Sequence, residues 1–346
     1  MFPSARARFL LIPLALLLLL SGCEGLLPAV GSYAEIYVVT EREPSEEILR
    51  PLRRELEVEF ETVQMETLFQ IIPLTSSGFK EIDTRKNFLL LVDLSGDENL
   101  LREARRLIGG EEVNRIRRSG GAALRFVENA WARQQAHAIL FSPSRERLPF
   151  VVEQYGSRIR DGFLQLNRKR ILEYLLFRGE KRTLERKLFD AFGWWIRIPA
   201  PFTPDVSLLG ERFFSMKMDR PGRMLFVSWR DGVESLPTEE ELIALRDSLT
   251  WKHYDEDFAE PDYNHTSRGS FQGHEAVRIR GLWQNEKYTI GGPFRSIAFR
   301  DEKKNRLYFL DYAVYAPGYD KKYYLWELEA VVETFDTKPP PEPEDS

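Results

Sequence analysis

The chain begins with a leader that is not suited to the core of a folded domain. Arg6 and Arg8 precede an almost purely apolar run, Phe9–Leu20, which is interrupted only by Pro13. A membrane-spanning helix needs roughly 20 apolar residues, and this run has 12. A short apolar run behind a basic start is typical of a secretory signal peptide. We therefore expect the folded body to be built only from the residues that follow.

The end of the apolar run, Leu20-Ser21-Gly22-Cys23, resembles the bacterial lipobox. In that motif the thiol receives a diacylglycerol and the leader is cleaved before the cysteine. We predict a signal peptide over residues 1–22 and lipidation of Cys23. A secretory signal with a chance cysteine and an uncleaved anchor are the alternatives. Cys23 is the only cysteine, so no disulfide forms within the chain.

Composition argues against one class of partner. Loss of Arg6 and Arg8 with the leader changes the formal net charge from −5 to −7. A mildly acidic chain is not expected to bind nucleic acid. The aromatic content, with 7 Trp, 13 Tyr and 23 Phe, suits a protein rich in β-structure. A separate expectation follows from the leader and the lipobox-like motif. We expect the protein to lie in the cell envelope, anchored to a membrane and facing the periplasm or the cell surface.

Breaks in composition divide the mature chain into a lipidated tether, an N-terminal half, a C-terminal half and a Pro- and Glu-rich tail. These segments are residues 23–34, 35–192, 193–337 and 338–346. Gly193 and the prolines that follow it mark the central boundary. The tail has the composition of a disordered segment.

Hydrophobic periodicity predicts an α+β fold with two halves, each having a mainly antiparallel sheet packed by helices. In the N-terminal half, Ala122–Gln135 is predicted to be a helix, and Leu148–Arg160 is either an edge strand or the start of a helix. In the C-terminal half, Trp194–Ile198 is predicted to be a strand and Lys252–Gly273 a polar connection. A hairpin turn at Asp219–Gly222 is also predicted.

Two further signals define helices in the C-terminal half. Thr238 and Glu241 have the spacing of a capping box, which predicts a helix beginning after Thr238. The periodicity of Lys321–Phe335 predicts a closing helix after the last strands.

Several short phrases resemble a family of Bacteroidota-type lipoproteins known as domain of unknown function 4837. They include Glu35-Ile36-Tyr37-Val38-Val39, Gln64, Glu66, Phe69, Trp195, Arg246-Asp247, Gly281-Leu282-Trp283, Gly291-Gly292-Pro293-Phe294 and Tyr315-Ala316-Pro317. The phrases extend over nearly the whole mature chain. Val63, Thr67 and Ile290 depart from the expected pattern, which indicates a divergent member. The resemblance implies an envelope lipoprotein and supplies no reaction.

Some of these residues are candidates for binding. Gly291 and Gly292, followed by Phe294, would present backbone N–H groups to an anion if they formed an open loop. The alternative is a turn or bulge that enters a strand. Arg246 and Asp247 are neighbours late in a helix, where adjacent side chains point to different faces. We therefore do not expect the two to pair with each other, and a structural salt bridge is expected for Arg246. Pairing with the Leu-Trp loop or with an acidic ligand is the alternative. The candidate aromatic groove comprises Trp194, Trp195, Trp229, Trp251 and Trp283.

The segment Lys252–His274 contains three of the four histidines, His253, His265 and His274, among several aspartates. Imidazole and carboxylate groups together suit Zn²⁺ or a similar ion. No short His-x-x-x-His spacing occurs, so a solvated acidic loop is the alternative. A second charged segment, residues 156–190, holds ten Lys and Arg against five Asp and Glu. It is either a solvated helix face or a surface that contacts anionic headgroups.

These observations favour a binding or structural protein of the envelope rather than an enzyme, with no cofactor. The expected partners are the membrane, through the N-terminal lipid, and an unidentified envelope protein, glycan or lipid. Two alternatives stay open. One is a metal-assisted hydrolase of envelope material that uses the three histidines. The other is a carrier of a small hydrophobic ligand held between the two halves.

Overall fold

The computed structural model describes residues 26–79, 82–96 and 99–341. The predicted signal peptide, Cys23 and residues 342–346 of the predicted tail lie outside these ranges. Within the ranges, no helix combines the length and the apolar character that are needed to cross a bilayer.

The described chain begins with a segment that is fixed to the body. The Ala29 N–H donates to the carbonyl of Arg133 at 2.8 Å, and the Arg133 N–H donates to the carbonyl of Leu27 at 2.7 Å. Val30 is bonded in the same way to the carbonyl of Thr84. Part of the predicted tether is therefore attached to the folded body.

The N-terminal half is a five-stranded sheet between two layers of helices. Its elements are β1 (Glu35–Thr40), α1 (Glu46–Leu56), β2 (Glu59–Phe60), β3 (Glu66–Thr67), β4 (Gln70–Thr75), β5 (Asn87–Asp93), α2 (Asn99–Ile108), α3 (Gly110–Ser119), β6 (Ala123–Glu128), β7 (Ala136–Ser142), α4 (Leu148–Leu176) and α5 (Arg182–Phe192). The sheet has the order β4-β1-β5-β7-β6. Helices α1 and α4 cover one face, and α2 and α3 cover the other.

Three of the four strand pairs in this sheet are parallel, namely β1 with β4, β1 with β5, and β5 with β7. Only β6 and β7 run antiparallel. This differs from the mainly antiparallel sheet expected for the N-terminal half. The physical reason is that β5 and β7 are buried on both faces, and continuous apolar strands of this kind are typical of parallel sheets covered by helices.

The helix predicted for Ala122–Gln135 is wrong, because Ala123–Glu128 forms β6. Asn129 and Gln134 have φ angles of 55° and 63°, which an α-helix does not allow. Of the two alternatives for Leu148–Arg160, an edge strand and the start of a helix, the structure shows the helix. Helix α4 begins at Leu148 and continues through two glycines. A Cβ on Gly156 would approach Glu55 Cγ to 2.6 Å, so this glycine lets α4 lie close to α1.

The C-terminal half is a large antiparallel sheet with one helix on each face. Its elements are β8 (Thr203–Asp205), β9 (Phe213–Asp219), β10 (Gly222–Asp231), α6 (Glu239–His253), β11 (Phe258–Ala259), β12 (His265–Phe271), β13 (His274–Asn285), β14 (Ile290–Asp301), β15 (Arg306–Tyr315) and α7 (Lys322–Val332). The strand order is β11-β13-β14-β15-β10-β9-β8, and β12 also pairs with β13. The α+β class with two sheet-rich halves is confirmed.

Local signals in this half are confirmed where the turn or cap chemistry is strong. The β9–β10 hairpin turns between Asp219 and Gly222. Thr238 and Glu241 complete the capping box of α6. Weaker signals fail. Trp194–Ile198 is not a strand, although Trp195 forms an isolated bridge with Asp336. The segment predicted as a polar connection instead contains β11 and β12.

The two halves share one hydrophobic core. The Phe69 ring lies 5.9 Å from Trp326 of α7 and 6.2 Å from Phe163 of α4. Both carboxylate oxygens of Glu66 accept hydrogen bonds from backbone N–H groups at the start of α7, those of Lys321 at 2.9 Å and Lys322 at 3.2 Å. Glu66 therefore caps a helix that belongs to the other half, where negative charge is favourable. This packing covers one face of the C-terminal sheet, and α6 covers the other.

Candidate functional site: a cleft on the C-terminal sheet

A cleft of about 840 Å³ opens on the face of the C-terminal sheet that carries α6. This volume lies in the range of small-molecule sites, roughly 300–1,000 Å³. The apolar part of its lining includes Phe213, Met224, Trp283, Ile290 and Tyr315. All of these residues come from the C-terminal half.

The strand pattern explains why the cleft has this floor. Side chains alternate between the faces of a strand, so Phe213 of β9 packs on the α6 side while Phe214 joins the core shared with the N-terminal half. Helix α6 ends at His253, and Asp255 and Glu256 follow with φ angles of 57° and 76°. These two residues turn the chain away from the helix axis, so the helix stops short and leaves the floor of the cleft open.

Tyr254 lines this cleft, and its hydroxyl makes no hydrogen bond of standard geometry with the described residues. Tyr254 is the residue at the C-terminal end of α6, and its hydroxyl is buried. The hydroxyl of Ser215 is nearby, but no hydrogen bond of standard geometry reaches the Tyr254 oxygen from the described residues. Burial raises the pKa of Tyr254 well above its ordinary value, so the group stays a neutral donor and acceptor.

A carboxyl group lies in the same lining. Asp257 is only 6% exposed, and its Oδ1 accepts a hydrogen bond from the side-chain amide of Asn285 at 2.8 Å. Its Oδ2 has no hydrogen-bond partner among the described residues. Burial, partly opposed by the Asn285 hydrogen bond, raises the pKa of Asp257 to about 6. The cleft thus has mainly apolar walls, charged residues such as Lys217 and Asp219 in its lining, and two polar groups with unused hydrogen-bonding capacity.

Behind the cleft, a buried ionic cluster holds α6 on the sheet. Arg246 is 1% exposed, and its Nε donates to Asp311 Oδ2 at 3.0 Å. The guanidinium lies 3.7 Å from the centre of the Phe294 ring. Ser296 also donates to Asp311, at 2.6 Å. Burial raises the pKa of Asp311, and the nearby Arg246 opposes this effect.

The structural salt bridge expected for Arg246 is therefore made with Asp311. The expectation that Arg246 and Asp247 do not pair with each other is wrong, because Arg246 Nη1 lies 3.4 Å from Asp247 Oδ1. The arginine side chain is long enough for its Nη1 to contact the carboxylate of the next residue.

Asp247 Oδ1 also accepts the N–H of Ala259 at 2.8 Å, and this hydrogen bond holds β11 against α6. Both residues have structural partners.

The glycine pair does not form an open anion loop. Gly291 and Gly292 lie within β14, where they pair with Gln284 and Trp283 of β13. A Cβ on Gly292 would overlap the carbonyl oxygen of Val314, so close packing against the next strand requires glycine there. These glycines line a separate groove beside the cleft.

The predicted binding residues come together only in part. Arg246, Asp247, Trp283 and Phe294 meet beneath α6, and Trp283 alone among them lines the cleft. Trp195 lies elsewhere, and its indole N–H donates to the carbonyl of Lys338 at 2.8 Å.

The other members of the proposed aromatic groove are divided between the interior and the surface. Trp194 and Trp229 are buried in the core shared by the two halves, whereas Trp251 is exposed on α6. The five tryptophans do not line one groove.

The three histidines are not brought together. His253 stacks on Phe213 at 4.2 Å in the cleft. On the β12–β13 hairpin, His265 faces Arg280, whereas His274 lies beside the turn opposite Phe271. At about 3.3 Å per residue, this separates His265 and His274 by roughly 20 Å. Within the described part of the chain, no three His, Cys, Asp or Glu side chains are grouped to hold a metal ion.

Two family models divide the chain between them. Residues 181–334 match Domain of unknown function (DUF4837). Residues 29–175 match a second model, Domain of unknown function (DUF8532). The resemblance noted in the sequence is thus confirmed over the C-terminal half, and the phrases at Glu35–Val39 and around Glu66 lie in the second match. No curated protein matches the chain.

Solved structures show only distant similarity. A crystal structure from Bacteroides thetaiotaomicron VPI-5482 is 15% identical with a TM-score of 0.26, over 42% of this chain and 45% of that one. This chain thus spans less than half the length of that protein. The Saccharomyces cerevisiae Ran-binding protein Mog1p is 13% identical with a TM-score of 0.29, over 42% of this chain and 90% of its own. A Mog1 mutant gives a TM-score of 0.30. This similarity is too low to indicate a shared activity.

Proposed function

We propose that the protein is a lipid-anchored protein of the bacterial cell envelope that binds a small amphipathic molecule in the cleft beneath Tyr254 and Asp257. The observation that supports this most directly is the buried hydroxyl of Tyr254, which has no hydrogen bond of standard geometry among the described residues, at a cavity whose surface is mainly apolar. A buried polar group without a partner costs about 1–3 kcal/mol. A ligand that hydrogen-bonds to this hydroxyl recovers that free energy.

The lining indicates the chemistry of the ligand. The aromatic and aliphatic walls favour an apolar body, because burying apolar surface drives binding. Above about pH 6 Asp257 is mostly ionised, so its free Oδ2 accepts a hydrogen bond from a hydroxyl, amide or amine. The Tyr254 hydroxyl either donates or accepts. The ligand is therefore an apolar molecule that carries at least one hydrogen-bond donor.

A cleft-filling substitution tests where the ligand binds. The probe is N-phenyl-1-naphthylamine, an apolar dye with one N–H donor, whose fluorescence rises in apolar surroundings. Met224 lines the cleft, and a Met224→Trp variant is expected to lose dye binding because the indole occupies the cavity. A Met65→Trp variant is the matched control, since Met65 is 78% exposed and lines a different groove. Equal binding by the two variants would show that the dye binds elsewhere.

Removing one oxygen atom tests the role of the phenol. A Tyr254→Phe variant is expected to bind the dye about tenfold more weakly, since one hydrogen bond is worth about 1–1.5 kcal/mol. The free energy of unfolding without dye is expected to stay the same or to rise, because the lost hydroxyl has no partner in the folded protein. Unchanged affinity together with reduced stability would mean that the hydroxyl serves the fold.

The lipid anchor is tested separately from the cleft. The motif Leu20-Ser21-Gly22-Cys23 and the short leader support acylation of Cys23. Cells that make the protein in the presence of labelled palmitate are expected to label it, and a Cys23→Ala variant is expected to carry no label. An intact mass that still includes residues 1–22 would contradict the processing that we propose.

A further inference from the structure

A second hollow, of about 870 Å³, lies where the described chain begins. Its lining comes from the N-terminal segment, the connection between β6 and β7, and the C-terminal end of α4. Pro28, Arg133, Tyr174 and Phe177 all line it. The hollow lies mainly on the N-terminal half, with Tyr323 of α7 also in its lining, and it is separate from the ligand cleft.

The rim of this hollow is unusually apolar for a surface. Phe177, which ends α4, is 87% exposed, and Leu27 is 71% exposed. Leu26 and Val30, which flank the lining residues Pro28 and Ala29 along the chain, are exposed too, as is Tyr174, one helical turn before Phe177. Single exposed apolar residues are common on proteins, but a contiguous group marks a contact surface.

The hollow also carries an excess of positive charge. Lys86 and Arg133 line it, and Glu173 is the one acidic residue among the lining residues. Arg170 lies directly behind, where its guanidinium donates hydrogen bonds only to neutral oxygens. These belong to Lys86, Asn87, Gln134, Leu166 and Asn167. Among the residues that the structure describes, no carboxylate cancels the Arg170 charge by direct contact, so the hollow favours an anion.

The distance to Cys23 places this surface beside the lipid. Cys23 precedes Leu27 by four residues, and the Leu27 carbonyl is bonded to Arg133. A fully extended chain spans at most about 3.6 Å per residue, so the two residues are no more than about 14 Å apart. Acyl chains on Cys23 would hold the bilayer within that distance of the hollow.

We propose that the hollow and its apolar rim form a membrane-docking face, which takes the phosphate of an anionic phospholipid headgroup while Phe177 and Leu27 enter the interface. This proposal rests on the proposed acylation of Cys23. Aromatic side chains favour the interface between lipid and water. Basic residues at that depth are attracted to anionic headgroups. Docking of this kind fixes the orientation of the body on the membrane.

The single cysteine makes the test direct. When Cys23 is acylated, a Phe177→Cys variant of the full chain carries one free thiol, to which an environment-sensitive fluorophore is attached. The labelled protein is placed in vesicles of anionic or zwitterionic phospholipid, with and without nitroxide-bearing lipids. We expect a blue shift of emission and strong quenching by the nitroxide in anionic vesicles. A Trp251→Cys variant is the matched control, because Trp251 is 54% exposed on α6, far from this face, and its label is expected to stay unquenched.

A third variant tests the charge. Arg133 is exposed, and adding Arg133→Gln to the Phe177→Cys variant is expected to weaken the preference for anionic vesicles. Equal quenching in zwitterionic vesicles without that substitution would overturn the assignment of an anionic headgroup. Labels at 177 and 251 that are both unquenched in acylated protein would overturn the docking face and leave the anchor and the cleft intact. A free thiol on Cys23 would overturn the anchor, and with it the docking face.

Discussion

Replacing Asp257 by asparagine tests the electrostatics of the cleft through the pH dependence of stability. Burial raises the pKa of Asp257 to about 6 from an ordinary value of 3.8. Between these values the folded protein holds a proton that the unfolded chain has released. The free energy of unfolding therefore falls as the pH rises through this window. Asparagine has no charge at any pH and removes this contribution.

The size of the effect follows from the pKa difference. One pKa unit corresponds to about 1.36 kcal/mol, so the contribution of Asp257 amounts to about 3 kcal/mol across the window. Because the carboxyl lines an open cleft, solvent screening reduces this contribution, and about 3 kcal/mol is its upper limit. Asparagine keeps an oxygen that can accept the hydrogen bond from Asn285. We expect the Asp257→Asn variant to gain stability relative to the wild type, by up to about 3 kcal/mol, between about pH 4 and pH 8.

Urea unfolding followed by tryptophan fluorescence, with linear extrapolation, measures this difference. The variant is compared with the wild type at each pH because burial raises the pKa of other acids into the same range. Burial, for example, raises the pKa of Glu185 to about 7, and this contribution cancels between variant and wild type. Asp190→Asn, at an exposed site on α5, is the control and is expected to show no such trend. A stability difference that does not change with pH, or that decreases toward pH 8, would refute the reasoning.

Two further substitutions test the packing. Glu66→Ala is expected to lower the free energy of unfolding by about 2 kcal/mol in urea, because two N–H groups at the start of α7 lose their acceptor; Glu43→Ala, at an exposed site, is expected to have no effect. Gly292→Ala is expected to cost about 2 kcal/mol or more by the same measurement, since the new methyl group meets the carbonyl of Val314. Gly269→Ala is the matched control, because nothing lies within 4 Å of its added Cβ, and equal losses in the two glycine variants would contradict the packing argument.

The sequence predicts the strands of the N-terminal sheet but not their direction. The apolar runs Glu35–Thr40, Asn87–Asp93 and Ala136–Ser142 are visible as buried strands, and all three are strands in the structure. Whether such strands run parallel depends on the crossovers between them. Helix α1 connects β1 to its parallel neighbour β4, and this packing is a property of the whole layer. A continuous apolar segment is typical of a parallel strand, but the segment alone does not specify which neighbour it pairs with or in which direction.

The candidate site shows the same limit. Arg246 and Trp283 are visible as unusual residues, but Asp311 lies 65 positions after Arg246 and is brought to it only by the packing of α6 on β15. Tyr254 has an ordinary sequence context, and its importance comes from an unpartnered hydroxyl that only the folded chain reveals. Asp257 lies in an acidic segment that contains histidines, and this pattern indicates a candidate metal site rather than the lining of a cleft. The sequence indicates local chemistry such as turns and helix caps, but it does not indicate which distant side chains pair when the helix packs on the sheet.

The core shared by the two halves has a consequence for any attempt to separate them. The family matches divide near residues 175–181, yet Phe69 on one side, which also contacts Phe163, packs against Trp326 on the other. Each fragment made alone would turn this aromatic surface toward water and would be expected to aggregate. When the two fragments are produced together in one cell, their apolar surfaces are complementary, and Glu66 of one fragment can cap α7 of the other. The fragments are therefore expected to assemble without a peptide bond between them.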